Sequence, residues 1–233
     1  MGFKYRLVVF DFDGVILDSV RILFIFFDYY RQACEMLGQK FPDLEFFKQN
    51  WGLPASVLMK KNFTKEDVAI LWSYMHKAET ILWHKPAYCG DVLETVKRLR
   101  AENIKTAILT NRAYSSLKKH IGGISFFEEN FEMIVGLGRP YRRVISNFYG
   151  NPCPKPDARS FKKIFQLAER HGIQKNEILM IGDTQADKEA AENAGVDFIA
   201  VLSGALDTKK HWLALGVPGR NIVSDAGKII DIY

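Results

Sequence analysis

The sequence predicts an α/β fold: a Rossmann-like parallel sheet core with helices on both faces, plus an inserted all-helical domain. Three observations predict it. Short apolar runs of strand length alternate with helix-period stretches through residues 87–233. Several of those runs end abruptly in an aspartate or a threonine. Residues 20–85 contain no clear strand, only apolar residues at helical spacing. The expected core is therefore 1–18 and 87–233, and the expected helical insert is 19–86.

Residues 7–10 are four apolar residues that run into Asp11, Asp13 and Gly14, the pattern of a buried strand ending in a turn. Asp18 or Ser19 then suits a helix N-cap, and Gly38 suits its stop. Between them Ile22, Phe26, Tyr29, Tyr30, Ala33 and Leu37 recur every three or four residues. A helix this apolar needs cover on more than one side, from neighbouring helices or a second subunit. Residues 41–85 read as further helices, with a capping pattern at Thr64 before the longest. His76 and His84 lack partners at metal spacing and read as structural.

Residues 85–90 are linker-like, and residues 91–99 carry the core face of a helix in Val92, Leu93, Val96 and Leu99. Residues 104–109 form the next expected strand, ending at Thr110-Asn111-Arg112. A short helix over 115–120 should stop at Gly122-Gly123, and 131–135 should be a strand. Arg139 to Gly150 reads as a short basic helix, opened by Pro140 and stopped by Gly150. Asp157 should cap a helix reaching His171 and Gly172. Residues 178–181 form a strand, and Gly182 to Asp187 open a helix closed by Gly195. A strand over 198–202 and helices over 205–215 and 226–232 complete the reading.

With 48% hydrophobic and 25% charged residues, the 233-residue chain can bury a sizeable core. The net charge of +5 is mild and suits an anionic substrate as well as a solvated surface. No long Lys/Arg block is present, so nucleic-acid binding is not expected. Cys34, Cys89 and Cys153 are few, odd in number and far apart, which suits a reducing compartment. The first strand follows the N-terminus almost at once, and no apolar run is long enough to span a membrane. The expected location is cytoplasmic.

The chemistry-bearing residues lie at the expected carboxyl ends of strands, where α/β sheets bind ligands. Asp11 and Asp13 are two apart on one strand end, so their carboxylates should fall close together. Two such acids repel unless a proton or metal ion lies between them. Thr110 ends a second strand, and Asp183 and Asp187 follow a third. Lys155 sits in a loop between two prolines that restrict its backbone.

With four such segments in order, the chain resembles the haloacid dehalogenase-like hydrolase superfamily over nearly its whole length. The motifs are Asp11-Phe12-Asp13-Gly14-Val15, Thr110-Asn111, Lys155-Pro156-Asp157 and Gly182-Asp183-Thr184-Gln185-Ala186-Asp187. The helical insert, with Asp18-Ser19 before it, is similar to the cap of the phosphoglycolate phosphatase-like branch. The resemblance implies a Mg²⁺-dependent phosphatase acting on a small phosphorylated metabolite, as monomer or homodimer. Asp11 would be the nucleophile and Asp13 the acid and base. Thr110, Asn111 and Lys155 would bind the substrate phosphate. Asp11, the main-chain carbonyl of Asp13, and Asp183 would hold Mg²⁺. Asp187 would orient Lys155 or a metal-bound water.

Asp13 argues against a dehalogenase, which lacks the second acid. A phosphonatase using a cap lysine (Lys48, Lys60, Lys61, Lys65 or Lys77), a sugar-phosphate mutase and a ligand-binding pseudo-phosphatase stay open. The long basic stretch from Gly136 to Cys153 departs from the shorter acidic turn usual in close relatives.

Overall fold

A computed structural model describes residues 3–20, 27–28, 31–32, 34–36, 38, 86–121, 125–138 and 147–232. Its strands are β1 (Leu7–Phe10), β2 (Lys105–Ala113), β3 (Met133–Leu137), β4 (Phe148–Asn151), β5 (Ile178–Gly182), β6 (Asp197–Val201) and β7 (Ile222–Val223). Its helices are α1 (Val92–Ala101), α2 (Tyr114–Ile121), α3 (Ser125–Asn130), α4 (Lys162–Arg170), α5 (Gln185–Ala194) and α6 (Lys209–Ala214).

The strands form one parallel seven-stranded sheet in the order β4-β3-β2-β1-β5-β6-β7. β1 is central because its apolar residues can be buried on both faces. Leu7 and Val9 join the cluster that holds Ile164 and Leu167 of α4 and Ala190 and Ala191 of α5. Val8 and Phe10 join the opposite cluster, with Val92 and Val96 of α1, Leu117 of α2 and Phe127 of α3. Alternation along one strand thus fills two cores. Each large side chain buried this way contributes roughly 1.5–3 kcal/mol.

β1 is flanked by β2 on one side, with Phe10 opposite Ile108, and by β5 on the other, with Phe10 opposite Ile181. Strand order runs outward in both directions from β1. That reversal opens a crevice at its carboxyl end, where Asp11 begins.

Several element boundaries differ from expectation for physical reasons. The basic helix expected over 139–150 is wrong at its C-terminal end. Phe148–Asn151 is an edge strand paired with β3, and buried Phe148 packs edge-on against Tyr114. Its aromatic pair favours a pleated edge over a helix. Residues 139–146 lie outside the described residues. β2 runs on to Ala113, with a register shift against β3 after Leu109. α3 was not foreseen. The helix expected from Asp157 starts as a 3₁₀ turn, Ala158–Phe161, with the Asp157 side chain accepting from the Arg159 amide at 2.8 Å. The helix expected over 205–215 is shorter, capped by Thr208. Ala205 is excluded from it because its amide bonds Asp183 instead. The last expected helix is a 3₁₀ segment, Ala226–Asp231.

Of the expected cap, the described residues at 27–28, 31–32 and 34–36 are helical, and Gly38 has the positive φ (62°) of a helix stop. The helices expected over 41–85, with His76 and His84, lie outside the described residues. The chain leaves the core and returns to it side by side. The Asp18 amide donates to the Ala87 carbonyl at 2.8 Å, and the Cys89 amide to that of Ile16 at 2.9 Å. Among the described residues no helix is long and apolar enough to cross a membrane.

Candidate active site

Four chain segments meet at the carboxyl end of β1. The Asp11 amide continues the sheet by donating to Ile181 at 2.9 Å, which sets Asp11 beside the end of β5. After Asp13 the chain turns tightly, with Gly14 at φ 74° and its amide on the Leu17 carbonyl at 2.8 Å. Glycine is required twice over at that point. The conformation is left-handed, and a Cβ would overlap the Asp183 carboxylate.

Asp183 follows β5, and the helix after it is capped by Thr184 rather than by Asp183. The Thr184 hydroxyl accepts from the Asp187 amide, while Asp187 Oδ2 accepts from the Thr184 amide at 3.1 Å and its hydroxyl at 2.6 Å. This reciprocal cap satisfies the helix terminus internally. Asp183 is therefore released from capping. Its Oδ2 accepts from the Ala205 amide at 3.0 Å, and its fully buried Oδ1 has no hydrogen-bond partner among the described residues.

Lys155 is buried where these acids converge. Its ammonium donates to Asp11 Oδ1 at 2.6 Å, to the Leu109 carbonyl at 3.0 Å and to Asp187 Oδ1. All three of its hydrogens are thus committed. The cis Lys155–Pro156 bond sits in this loop. Asn111 buckles the loop to β2: its side-chain oxygen accepts from the Lys155 amide at 2.8 Å, and its nitrogen donates to the Lys155 carbonyl at 3.0 Å. Thr110 is buried one residue earlier, and its hydroxyl oxygen accepts from the Arg112 amide at 3.0 Å. That leaves the hydroxyl hydrogen to be donated.

Electrostatics follow from this packing. Burial pushes the Asp11 carboxyl up to about 7, with Lys155 opposing and Asp187 and Asp13 adding to the rise. Burial also raises Asp183 well above the usual carboxylate range, reinforced by Asp11 and Asp187. For Lys155, burial works against the charge, but Asp11 and Asp187 overcome it and hold the ammonium protonated.

Side-chain oxygens of Asp11, Asp183 and Asp187 lie within 4.8 Å of one another, a set that can hold a metal ion. The residues fit a hard divalent cation. The donors are all oxygen, and Asp183 Oδ1 is an orphaned buried acceptor. Both oxygens of Asp187 are already engaged by Thr184 and Lys155. Of the three, Asp11 and Asp183 therefore keep the freer carboxylate oxygens.

Of the site residues expected from the sequence, Asp11, Lys155, Asp183 and Asp187 lie together, Asn111 holds the Lys155 loop, and Asp13 is separated from them. Asp11 faces Lys155, whereas the Asp13 carboxylate turns to Arg112, which binds it at 2.8 Å through Nε and 2.5 Å through a terminal nitrogen. Sequence reasoning missed Arg112, although it lies only two residues after Thr110 at the end of the same strand. It also missed Gly204, where a Cβ would overlap the Asp183 carboxylate from the far side. No local pattern marks Gly204, since it reaches the site only through the pairing of β6 with β5.

Comparison with known proteins agrees with this geometry. Residues 8–201 match the family model described as haloacid dehalogenase-like hydrolase. A protein provisionally named pyrophosphatase PpaX from Caldanaerobacter subterraneus subsp. tengcongensis is 28% identical over 201 residues, covering 85% of this chain and 82% of its own. A phosphoglycolate phosphatase of Aquifex aeolicus is 24% identical over 203 residues, covering 85% of each chain. The fold also matches a solved haloacid dehalogenase-like family hydrolase from Streptococcus pneumoniae, with a TM-score of 0.67, 18% identity and 98% of each chain covered. The chain belongs to the haloacid dehalogenase-like hydrolases.

Proposed function

We propose that this haloacid dehalogenase-like hydrolase is a Mg²⁺-dependent phosphatase that hydrolyses a small phosphomonoester, phosphoglycolate-like, through an aspartyl-phosphate. The observation that carries the reading is the pairing of Asp11, clamped by Lys155, with the orphaned Oδ1 of Asp183. Charge supports it as well. With all four ionised, Asp11, Asp13, Asp183 and Asp187 exceed Lys155 and Arg112 by two negative charges, which a divalent ion would cancel as it displaces the protons held by Asp11 and Asp183.

Asp11, Asp183 and the Asp13 carbonyl would hold Mg²⁺, which would supply countercharge to the incoming phosphate. Asp11 attacks phosphorus, and the ester P–O bond breaks. Asp13 gives its proton to the departing oxygen. Asp13 then takes a proton from water, which attacks the phosphorus of the aspartyl-phosphate and frees Asp11 and inorganic phosphate. Thr110 donates to a phosphoryl oxygen. Lys155 acts mainly as fixed positive charge, because its hydrogens are already shared among Asp11, Leu109 and Asp187. Asn111 serves the substrate by holding the Lys155 loop. Asp187 orients Lys155.

Residues 19–86 are read as the cap that delivers the substrate and selects it. Its two links run side by side at Asp18 and Ala87, close to Asp13 and Gly14, so cap movement would be felt at the site. The name borne by the PpaX relative favours one second reading, a pyrophosphatase. Assaying phosphate release from pyrophosphate, phosphoglycolate, sugar phosphates and an aryl phosphate with Mg²⁺ tests all of these. Asp11→Asn should abolish release while the fold survives. Retained turnover in that variant overturns the assignment, and an isomerised sugar phosphate in place of free phosphate would mean a mutase.

A further inference from the structure

Each aspartate of the pair at the end of β1 has its own cation. Lys155 takes Asp11, and Arg112 takes Asp13. The second pairing is a two-pronged fork, Nε to one carboxylate oxygen at 2.8 Å and a terminal nitrogen to the other at 2.5 Å. Arg112 is itself fixed. Its remaining terminal nitrogen donates to Ser116 Oγ on α2 at 3.0 Å, and its guanidinium lies 6.0 Å from the centre of the Phe12 ring. Its side chain is 9% exposed and that of Asp13 is 19% exposed. A planar fork with both prongs engaged fixes the plane and direction of a carboxylate, which an ammonium does not do.

We propose that Arg112 is the positioning residue for Asp13, fixing the direction from which that carboxylate meets the leaving oxygen and the attacking water. The acid–base duty of Asp13 rests on the phosphatase reading; the fork itself does not. Because β2 carries both Thr110 and Arg112, one strand end sets the phosphoryl donor and the acid–base group in a common frame. A misdirected general acid loses rate without losing substrate affinity.

The test uses Arg112→Ala and Arg112→Lys in the full chain, with Mg²⁺ and an alkyl phosphate ester. Turnover should fall by roughly 100-fold in Arg112→Ala, with KM changed by no more than about twofold. Arg112→Lys, which keeps the charge and loses the fork, should stay well below wild type. Guanidinium ion added to Arg112→Ala should restore part of the rate, and none in Arg112→Lys. A rise in KM with turnover intact overturns the proposal by making Arg112 a substrate ligand. Crystal structures of wild type and Arg112→Ala give a readout independent of activity. The Asp13 carboxylate should swing away from its wild-type direction, and an unmoved carboxylate overturns the proposal. If wild type releases no phosphate from any ester, the phosphatase reading fails, and the structures still decide the positioning role.

Discussion

Gly204 lies so close to Asp183 that a single added Cβ would overlap its carboxylate. The Ala205 amide next to it holds the same carboxylate at 3.0 Å. The turn after β6 thus moulds the side chain that follows β5, and the adjacent parallel strands carry that contact from one segment to the other.

Gly204→Ala should therefore act through Asp183. The backbone at Gly204 does not require glycine for its dihedral angles, so the effect is steric. Overpacking of this kind costs about 1–3 kcal/mol. The Mg²⁺ concentration for half-maximal activity should rise, and Mg²⁺ should protect the variant against heat less than wild type. Equal protection by Mg²⁺ in both proteins would show that Asp183 is not moulded by this contact.

Asp187 offers a second test, because metal proximity alone does not make it a ligand. Both its oxygens are taken, one by Lys155 and one by Thr184. Asp187→Asn should lower turnover sharply by loosening Lys155, yet leave Mg²⁺ affinity within a few-fold of wild type. Asp187→Ala should in addition destabilise the protein by about 3–5 kcal/mol, since it strips a buried ammonium of a partner. Calorimetry of Mg²⁺ binding to Asp187→Asn decides the matter. A collapse in affinity would make Asp187 a direct ligand.

The raised Asp11 and Asp183 carboxyls predict an unusual pH response in the metal-free protein. Between the ordinary carboxylate value and about 7, folded Asp11 keeps a proton that the unfolded chain has released. The folded state then binds more protons, so stability falls as pH rises through that window. Lys155 is protonated in both states there and contributes no slope. Without Mg²⁺, the melting temperature should rise as pH is lowered from about 7 to 5. With saturating Mg²⁺ the rise should vanish, and metal binding should release protons, measured as a buffer-dependent binding heat. A pH-independent metal-free melting curve would contradict this.

The sheet and the four converging segments were legible because strand ends carry their own signals. Residues 7–10 and 178–181 are apolar runs of strand length stopped by acids, and the structure has strands at Leu7–Phe10 and Ile178–Gly182. The restricted loop around Lys155 was legible from its flanking prolines, but the role of the lysine came only from the family resemblance. β4 was not, because the alternation of Phe148 and Tyr149 is too short to outweigh the proline and glycine read as helix ends. Arg112 looked like any strand-end cation until β2 was seen to continue to Ala113. The pairing of Asp13 with it depends on the Gly14 turn and on where α2 begins, neither of which is written in the motif. The split within α/β acids follows the same logic: Thr184 caps α5, and that choice is what leaves Asp183 uncapped.

Glu132 gives a prediction remote from the site. Its Oε1 accepts from Arg100 at the end of α1 at 2.6 Å and from Lys105 at the start of β2 at 3.1 Å. Burial raises its carboxyl, but the hydrogen bonds from Arg100 and Lys105 outweigh that and hold it below the usual range. A depressed carboxyl stabilises the fold above its unfolded value, and the gain is lost as pH falls through the folded value. The groups are roughly a quarter exposed, so solvent screens them and the pair contributes about 1 kcal/mol or less. Glu132→Gln should melt slightly below wild type at pH 7 and converge with it as pH falls through the lowered folded value. Added salt should narrow the gap at pH 7, and activity should be unchanged. Melting curves across pH and ionic strength check this, and a gap that persists in acid would mean that packing, not charge, holds Glu132 to α1 and β2.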